Sequence, residues 1–286
     1  MTNLLIAIKN LVKDPVTNLK THYKSVNRVN NMGDALEFYI KDLFCNSLYE
    51  NNLKKKDKIY EDNFAYFGNQ NNPPDFIVTN GDAIEVKKIE SFSSSLALNS
   101  SPPKNRLSSN DKRITADCKK CDGGNWEEKE LFYVIGNVKS SVVKYLFFVH
   151  GTCYAANHEV YDRIHDPIKK EVDSVLDSLG FEKGKTVELG KVKKVDPLGI
   201  TELRIRGMWG IENPVKVFDY VSPVDQKIEF SVNAIMLKEK YFSFPEKDRK
   251  NLEKLTSDKF FIKDIKIKSP NNPAKLLDAK LIKFIK

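Results

Sequence analysis

The sequence predicts one α/β domain, residues 1–226, with a basic C-terminal appendage, residues 227–286, packed on the same domain. Three observations carry this expectation. Stretches with helical apolar spacing alternate with short apolar or alternating runs of strand length. A chain of 286 residues buries about three quarters of its unfolded surface and needs no disulfide or metal staple. The composition, 41% hydrophobic and 30% charged, excludes a disordered or low-complexity chain. No internal repeat and no clean linker divide the sequence.

Leu4, Leu5, Ile8, Leu11 and Val12 recur at helical spacing over residues 2–13, and Pro15 ends that element. A second helix is marked by Leu36, Ile40, Leu43 and Phe44 on one face, with Asp34 and Glu37 spaced as a capping box. Residues 51–62 are polar and read as loop. The turn-rich Asn69–Pro74 leads into the strand Phe76–Val78, Asn80-Gly81 marks a hairpin turn, and Ala83–Ile89 is the returning strand. Residues 91–109, rich in Ser, Asn and Pro, read mostly as loop. Residues 131–138 and 142–150 are two buried strands, and 159–179 is a helix broken near Pro167 and stopped by Gly180. Glu202–Arg206 alternates as a strand before the Gly-Met-Trp-Gly turn of 207–210. Lys227–Leu237 is a further strand, and the last 40 residues mix short elements around Pro270 and Pro273.

The longest strongly apolar run, Tyr145–Val149, is far short of the roughly 20 residues of a membrane span. The first residues lack the series of features that makes a signal peptide. Four cysteines do not make a disulfide scaffold, so a soluble, cytoplasmic protein is expected, with no membrane partner. The net charge is +8 and is unevenly spread. Residues 227–286 hold 14 Lys and one Arg against eight acids, leaving the rest of the chain nearly neutral. Such a balance favours a polyanion, nucleic acid before an anionic membrane, or else a lysine-rich solvated face.

The segment with chemical content is Pro74-Asp75 followed, after nine residues, by Glu85-Val86-Lys87. Strand alternation puts Glu85 and Lys87 on one side while Ile84 and Val86 point to the core. A hairpin brings Asp75 back beside Glu85. Two converging carboxylates can hold Mg²⁺, which keeps waters and takes phosphate oxygens. Lys87 can orient a water and neutralise charge growing on a phosphate, which completes the apparatus for metal-assisted phosphodiester hydrolysis. The competing reading is a surface hairpin with a weak Glu–Lys pair.

Pro74-Asp75…Glu85-Val86-Lys87 is similar to the PD-(D/E)xK nuclease signature, and the wider string resembles the NgoPII-type type II restriction endonucleases. The matching segments are Gly33–Glu37, Asn72–Asp75, Asn80–Glu90, Leu96–Ser101 and Arg204–Pro214, which includes the long string RIRGMWGIENP. They span roughly residues 1–220 in order, and the last 60 residues resemble the family less clearly. The resemblance implies a restriction-endonuclease-like fold, a central mixed β-sheet flanked by helices, with catalysis and DNA recognition in residues 1–226. It implies Mg²⁺-dependent cutting of double-stranded DNA at GGCC, in the middle of the site, leaving blunt ends. It makes Asp75 and Glu85 metal ligands, Lys87 the catalytic lysine and Glu37 the helix carboxylate beside the metal. Lys88 is turned to the opposite face. A two-fold palindrome implies a homodimer, and a site-specific nuclease implies a cognate DNA methyltransferase to protect the host.

A G·C target offers guanine O6 and N7 to a bidentate arginine. Arg204 and Arg206 share a strand face before a glycine-punctuated turn and are candidate readers, with pairing to acids as the alternative. Asn99, Ser100, Ser101, Lys104 and Arg106 follow the catalytic hairpin and are candidate phosphate or base contacts. Trp209 is a candidate DNA contact with core packing as its competing role. Cys118 and Cys121 form a lone CxxC, two of the four ligands a structural zinc needs, and unpaired cysteines are favoured over zinc. A structure-selective nuclease of the same signature, such as a junction resolvase or repair nuclease, and a non-catalytic DNA-binding protein are the alternative functions.

Overall fold

The computed structural model describes residues 1–23, 32–69 and 72–286, with the backbone alone for 32–34. The N-terminal helices are α1 (Leu4–Lys13), α2 (Leu19–His22), α3 (Met32–Cys45) and α4 (Leu53–Asn63). Strands β1 (Phe64–Asn69), β2 (Asn72–Val78), β3 (Ala83–Ile89), β4 (Leu96–Asn99) and β5 (Arg106–Ser108) follow. Then come α5 (Ala116–Lys120), β6 (Glu128–Lys139), β7 (Val142–His150), α6 (Gly151–Tyr154) and the long α7 (His158–Ser178). Short strands β8 (Glu182–Lys183), β9 (Gly190–Lys193), β10 (Glu202–Ile205) and β11 (Trp209–Ile211) lead to α8 (Pro214–Val217). The chain finishes with β12 (Ser231–Leu237), α9 (Lys238–Ser243), α10 (Glu246–Glu253), β13 (Phe260–Lys268) and β14 (Leu276–Ile285).

Among the described residues one sheet of nine strands organises the molecule, in the order β1-β2-β3-β6-β7-β12-β14-β13, with β5 also paired to β6. It is mixed: β3 runs parallel to β6 and β12 parallel to β7, while the other pairings are antiparallel. The α/β architecture with a mixed sheet is the one the sequence predicts. Residues 227–286 supply three of its strands, with β14 between β12 and β13. The last 40 residues therefore hold two long strands, β13 and β14, where the sequence predicts short elements. Strand-edge lysines such as Lys263, Lys266 and Lys268 alternate with the apolar residues of β13, and lysine on an outermost strand discourages pairing with other chains.

Period-two alternation gives the sheet two buried faces. Ile84, Phe132, Val134, Leu146, Phe148 and Ala234 pack against Leu4, Ile8, Leu36, Tyr39, Ile40 and Phe44 of the helical layer. Ile77, Leu131, Tyr133, Ile135, Phe147 and Ile235 face Leu96, Leu98, Leu107, Cys118, Tyr154 and Phe218 on the other side. Each wholly buried aliphatic side chain in these layers contributes about 1.5–3 kcal/mol of transfer free energy. The first helix matches its predicted span, and Asn3 caps it by accepting the Ile6 N–H at 3.2 Å.

Three local expectations differ from what is found. Residues 53–63 are helix α4, not loop, because the inward face is polar. Lys56 and Tyr60 both bond to the wholly buried Asp42, at 2.8 and 2.7 Å, so apolar periodicity is absent. Residues 91–109 are mostly loop, as expected, and also hold the short strands β4 and β5. Helix α7 continues through Pro167, whose ring lies on the solvent side, where water can satisfy the carbonyl one turn back. Gly180 does stop it, at φ +71°. Finally, α3 begins at Met32, so Asp34 sits inside the helix rather than at its cap, while its side chain lies outside the described residues. The capping-box explanation of Glu37 falls with it. No helix among the described residues is long and apolar enough to cross a membrane.

Candidate active site

Strands β2 and β3 form the predicted hairpin around residues 79–82, where Asn80 takes φ +53° and the Gly81 N–H donates to the Val78 carbonyl at 2.8 Å. Their ladder pairs only Phe76 with Ile84 and Ile77 with Ala83. Beyond Phe76 the strands separate, and the Val86 N–H, released from cross-strand pairing, donates to Asp75 Oδ2 at 2.6 Å. Glu85 and Lys87 project from the same face of β3, with Lys87 Nζ 2.6 Å from Glu85 Oε1. Lys88, turned the other way, pairs with Glu90 at 2.9 Å. The second carboxylate oxygen of Glu85, Oε2, is buried with no hydrogen-bond partner.

Two neighbouring elements fix this geometry. Gly68 of β1 passes so close to β2 that a Cβ there would lie 2.1 Å from the Pro74 carbonyl oxygen and 2.9 Å from that of Asp75. Only a glycine permits that approach. Tyr133 of β6 pairs across from Glu85; its hydroxyl accepts the Lys104 N–H at 2.8 Å and donates to the Lys104 carbonyl at 3.1 Å. The loop after β4 is thereby pinned beside the carboxylates. Sequence inspection passes over both residues, since neither bears a reactive group.

The electrostatics are those of an acid pair with one cation. Burial, then the charge of Glu85, push the Asp75 carboxyl up to about 8, with Glu37 adding to the rise and Lys87 and the Val86 N–H opposing it. Burial works against the charge of Lys87, but Glu85 and Asp75 outweigh it and hold the ammonium above its ordinary range. Glu37, on α3, is near enough for its charge to act on both, and its own Oε1 accepts from Lys41 Nζ at 2.5 Å. No group of three or more His, Cys, Asp or Glu side chains with metal-site spacing occurs among the described residues. A cation held by Asp75 and Glu85 would thus take its other ligands from water and phosphate, as Mg²⁺ habitually does. An unpartnered buried carboxylate oxygen and a carboxyl raised by its acidic neighbour fit such an ion.

Asp75, Glu85 and Lys87 lie in a cleft of about 760 Å³ whose walls include Asn99, Ser100, Ser101, Lys104, Arg204 and Arg206. The two arginines share one carboxylate, Glu188. Arg204 donates to it twice, from Nε at 2.9 Å and Nη2 at 2.7 Å, and Arg206 Nε donates at 2.7 Å. Lys104 is occupied internally, bonding Asp111 and Ser101 at 2.8 Å each. Arg106 lies outside the cleft lining, pairing across strands with Glu130 and, at 3.4 Å, with Glu128. Trp209 also lies outside it, set edge-on against Tyr161 with ring centres 5.6 Å apart and packed on the second core. Cys118, Cys121 and Cys153 are buried free thiols, and burial pushes Cys118 up to about 12. They make no zinc cluster among the described residues. Glu188, Lys112 and Arg113 also line the cleft and carry no sequence motif; Met208 of the Gly-Met-Trp-Gly turn lines it too and is not among the candidate contacts read from the sequence.

A mixed sheet presenting two carboxylates and a lysine from a diverging hairpin, within a cleft walled by arginines, is the arrangement of the restriction-endonuclease-like nucleases. The chain matches the NgoPII restriction endonuclease family over residues 2–268 and belongs to that family. It is 46% identical over 285 residues, 99% of either chain, to the type II restriction enzyme NgoPII of Neisseria gonorrhoeae. No solved structure matches it.

Proposed function

We propose that the protein is a type II site-specific deoxyribonuclease that hydrolyses both strands of DNA at GGCC, cutting centrally to leave blunt ends, with Mg²⁺ as its ion. The observation that carries this reading is the placement of Asp75, Glu85 and Lys87 in one cleft with Arg204 and Arg206. Asp75 and Glu85 would hold the ion, which when bound would supply Lewis-acid polarisation of the phosphate and a more acidic water. Lys87, kept protonated by the two carboxylates, orients that water and offsets charge developing on the phosphate oxygens. Glu37 adds negative charge from α3. Tyr133 and the Val86 N–H hold the loop and Asp75 in place, so little reorganisation accompanies the reaction.

Recognition falls to the opposite wall. Arg204 and Arg206 match the acceptors of guanine, and Asn99, Ser100 and Ser101 can contact phosphates or base edges. Arg106 and Trp209, outside the cleft lining, act as supports. A two-fold target calls for two copies of the chain, one per strand, and host DNA is protected by a cognate methyltransferase.

The test is to incubate the purified protein with a fully sequenced, unmethylated plasmid in Mg²⁺, beside an EDTA control, and to sequence the ends. Discrete blunt ends at GGCC only with Mg²⁺ are expected. Discrete ends elsewhere would refute the target, and intact plasmid at low salt would refute the nuclease.

A further inference from the structure

Helix α7 and the three-stranded sheet β10-β9-β8 form the lobe that carries Arg204 and Arg206 over the cleft. Within it, Glu188 is unusual for a surface lobe: its side chain is only 8% exposed while the arginines are about half exposed. Its backbone is tied on both sides, the N–H donating to Thr186 Oγ1 at 3.0 Å and the carbonyl accepting from Lys169 Nζ of α7 at 2.6 Å. A carboxylate so anchored sets where its partners can sit.

The donor count then shows what Glu188 leaves to each arginine. A guanidinium has five N–H groups. Arg204 spends one N–H of Nε and one of Nη2 on Glu188, a side-on pair that leaves both N–H groups of Nη1 and the second of Nη2 at the end of its fork. Arg206 meets the same carboxylate through Nε, 2.7 Å from Oε1, and it too presents its terminal Nη1 and Nη2 at the end of the fork. That pair of nitrogens is what bidentate contact with guanine O6 and N7 requires. One negative charge against two positive ones also leaves this cluster with a net charge of only +1 toward phosphates of any sequence.

We propose that Glu188 is a specificity-determining positioning residue. It fixes the Arg204 and Arg206 guanidiniums with their terminal nitrogens placed to read bases, and it cancels one positive charge that would otherwise hold DNA without regard to sequence. The inference rests on the reading of the cleft as a DNA site.

Binding of a GGCC duplex and of a scrambled duplex is measured by fluorescence anisotropy over a range of salt, in Ca²⁺, with intact DNA verified after each titration. For Glu188→Gln the scrambled duplex is expected to bind more tightly, with a salt slope steeper by about one unit. The ratio of target to scrambled affinity is expected to fall by about tenfold or more, the discrimination of one bidentate base contact. Glu188→Asp keeps the charge and loses the reach, so the wild-type salt slope should return while the ratio stays low. Thermal melting of each variant checks the fold. An unchanged ratio in both variants would overturn the proposal. An equal fall in both affinities would do the same, marking Glu188 as a brace for the lobe alone. A wild-type protein with no preference for GGCC would instead refute the assigned target and remove this role with it.

Discussion

Replacing Asp75 with Asn should stabilise the metal-free protein while abolishing its cleavage. The folded carboxyl is raised from 3.8 to about 8 by burial and by Glu85, so holding it ionised costs folding free energy. About four pKa units at ~1.36 kcal/mol each set a ceiling near 5–6 kcal/mol. Relaxation and water entry at a partly open site bring the expected gain to about 2–4 kcal/mol. The amide is close in shape and can still accept the Val86 N–H. The sign follows from the direction of the shift. A carboxyl raised on folding favours the folded state fully below its unfolded pKa, and that contribution is lost as pH climbs through the folded value. The variant's advantage should therefore be greatest above pH 8 and shrink steadily as pH falls toward 4. Urea denaturation in EDTA at several pH values measures it. Mg²⁺ should raise the midpoint of the wild type and leave that of the variant nearly unmoved. A variant less stable than wild type at every pH would refute the electrostatic account of this site.

Lys87→Ala should leave the target-binding affinity largely intact and lower single-turnover cleavage by orders of magnitude; retained cleavage would remove Lys87 from the chemistry. Gly68→Ala should lower cleavage strongly with a smaller loss of stability, because its new methyl forces back the Pro74–Asp75 backbone; a variant as active as wild type would show the strand yields freely. Asp42 accepts from Tyr23, Ser47, Lys56 and Tyr60 at 2.6–2.8 Å with no solvent exposure. Asp42→Ala strands the nearly buried Lys56 and should cost about 3–5 kcal/mol by urea midpoint, and a loss below about 1 kcal/mol would contradict that network's role.

What the sequence discloses here is local. Strand alternation and the Asn80-Gly81 turn place Glu85 and Lys87 on one face and bring Asp75 to them, because period two and a tight turn leave little choice. The same period correctly sets Arg204 and Arg206 side by side. Contacts between distant segments are what stay hidden. Glu188 lies 16 residues before Arg204 in a segment with no motif, and only the antiparallel pairing of β9 with β10 gives it meaning. Lys104 resembles a phosphate ligand until Asp111 folds back on it, and Arg106 until β5 lies beside the acids of β6. Helix α4 is invisible to hydrophobic periodicity because a buried carboxylate, not an apolar layer, receives its inner face.

Between the end of β7 and the start of β12, which lie side by side in parallel, the chain leaves the central sheet for some 80 residues and returns to the adjoining position. The arginines and Glu188 all belong to that excursion, whereas the carboxylates and the lysine stand on β2 and β3. The connection is thus anchored at both ends on neighbouring strands, and its contents can change without altering the order of the sheet. Such wiring lets the segment that bears Arg204, Arg206 and Glu188 vary while the strands that bear Asp75, Glu85 and Lys87 keep their places in the sheet.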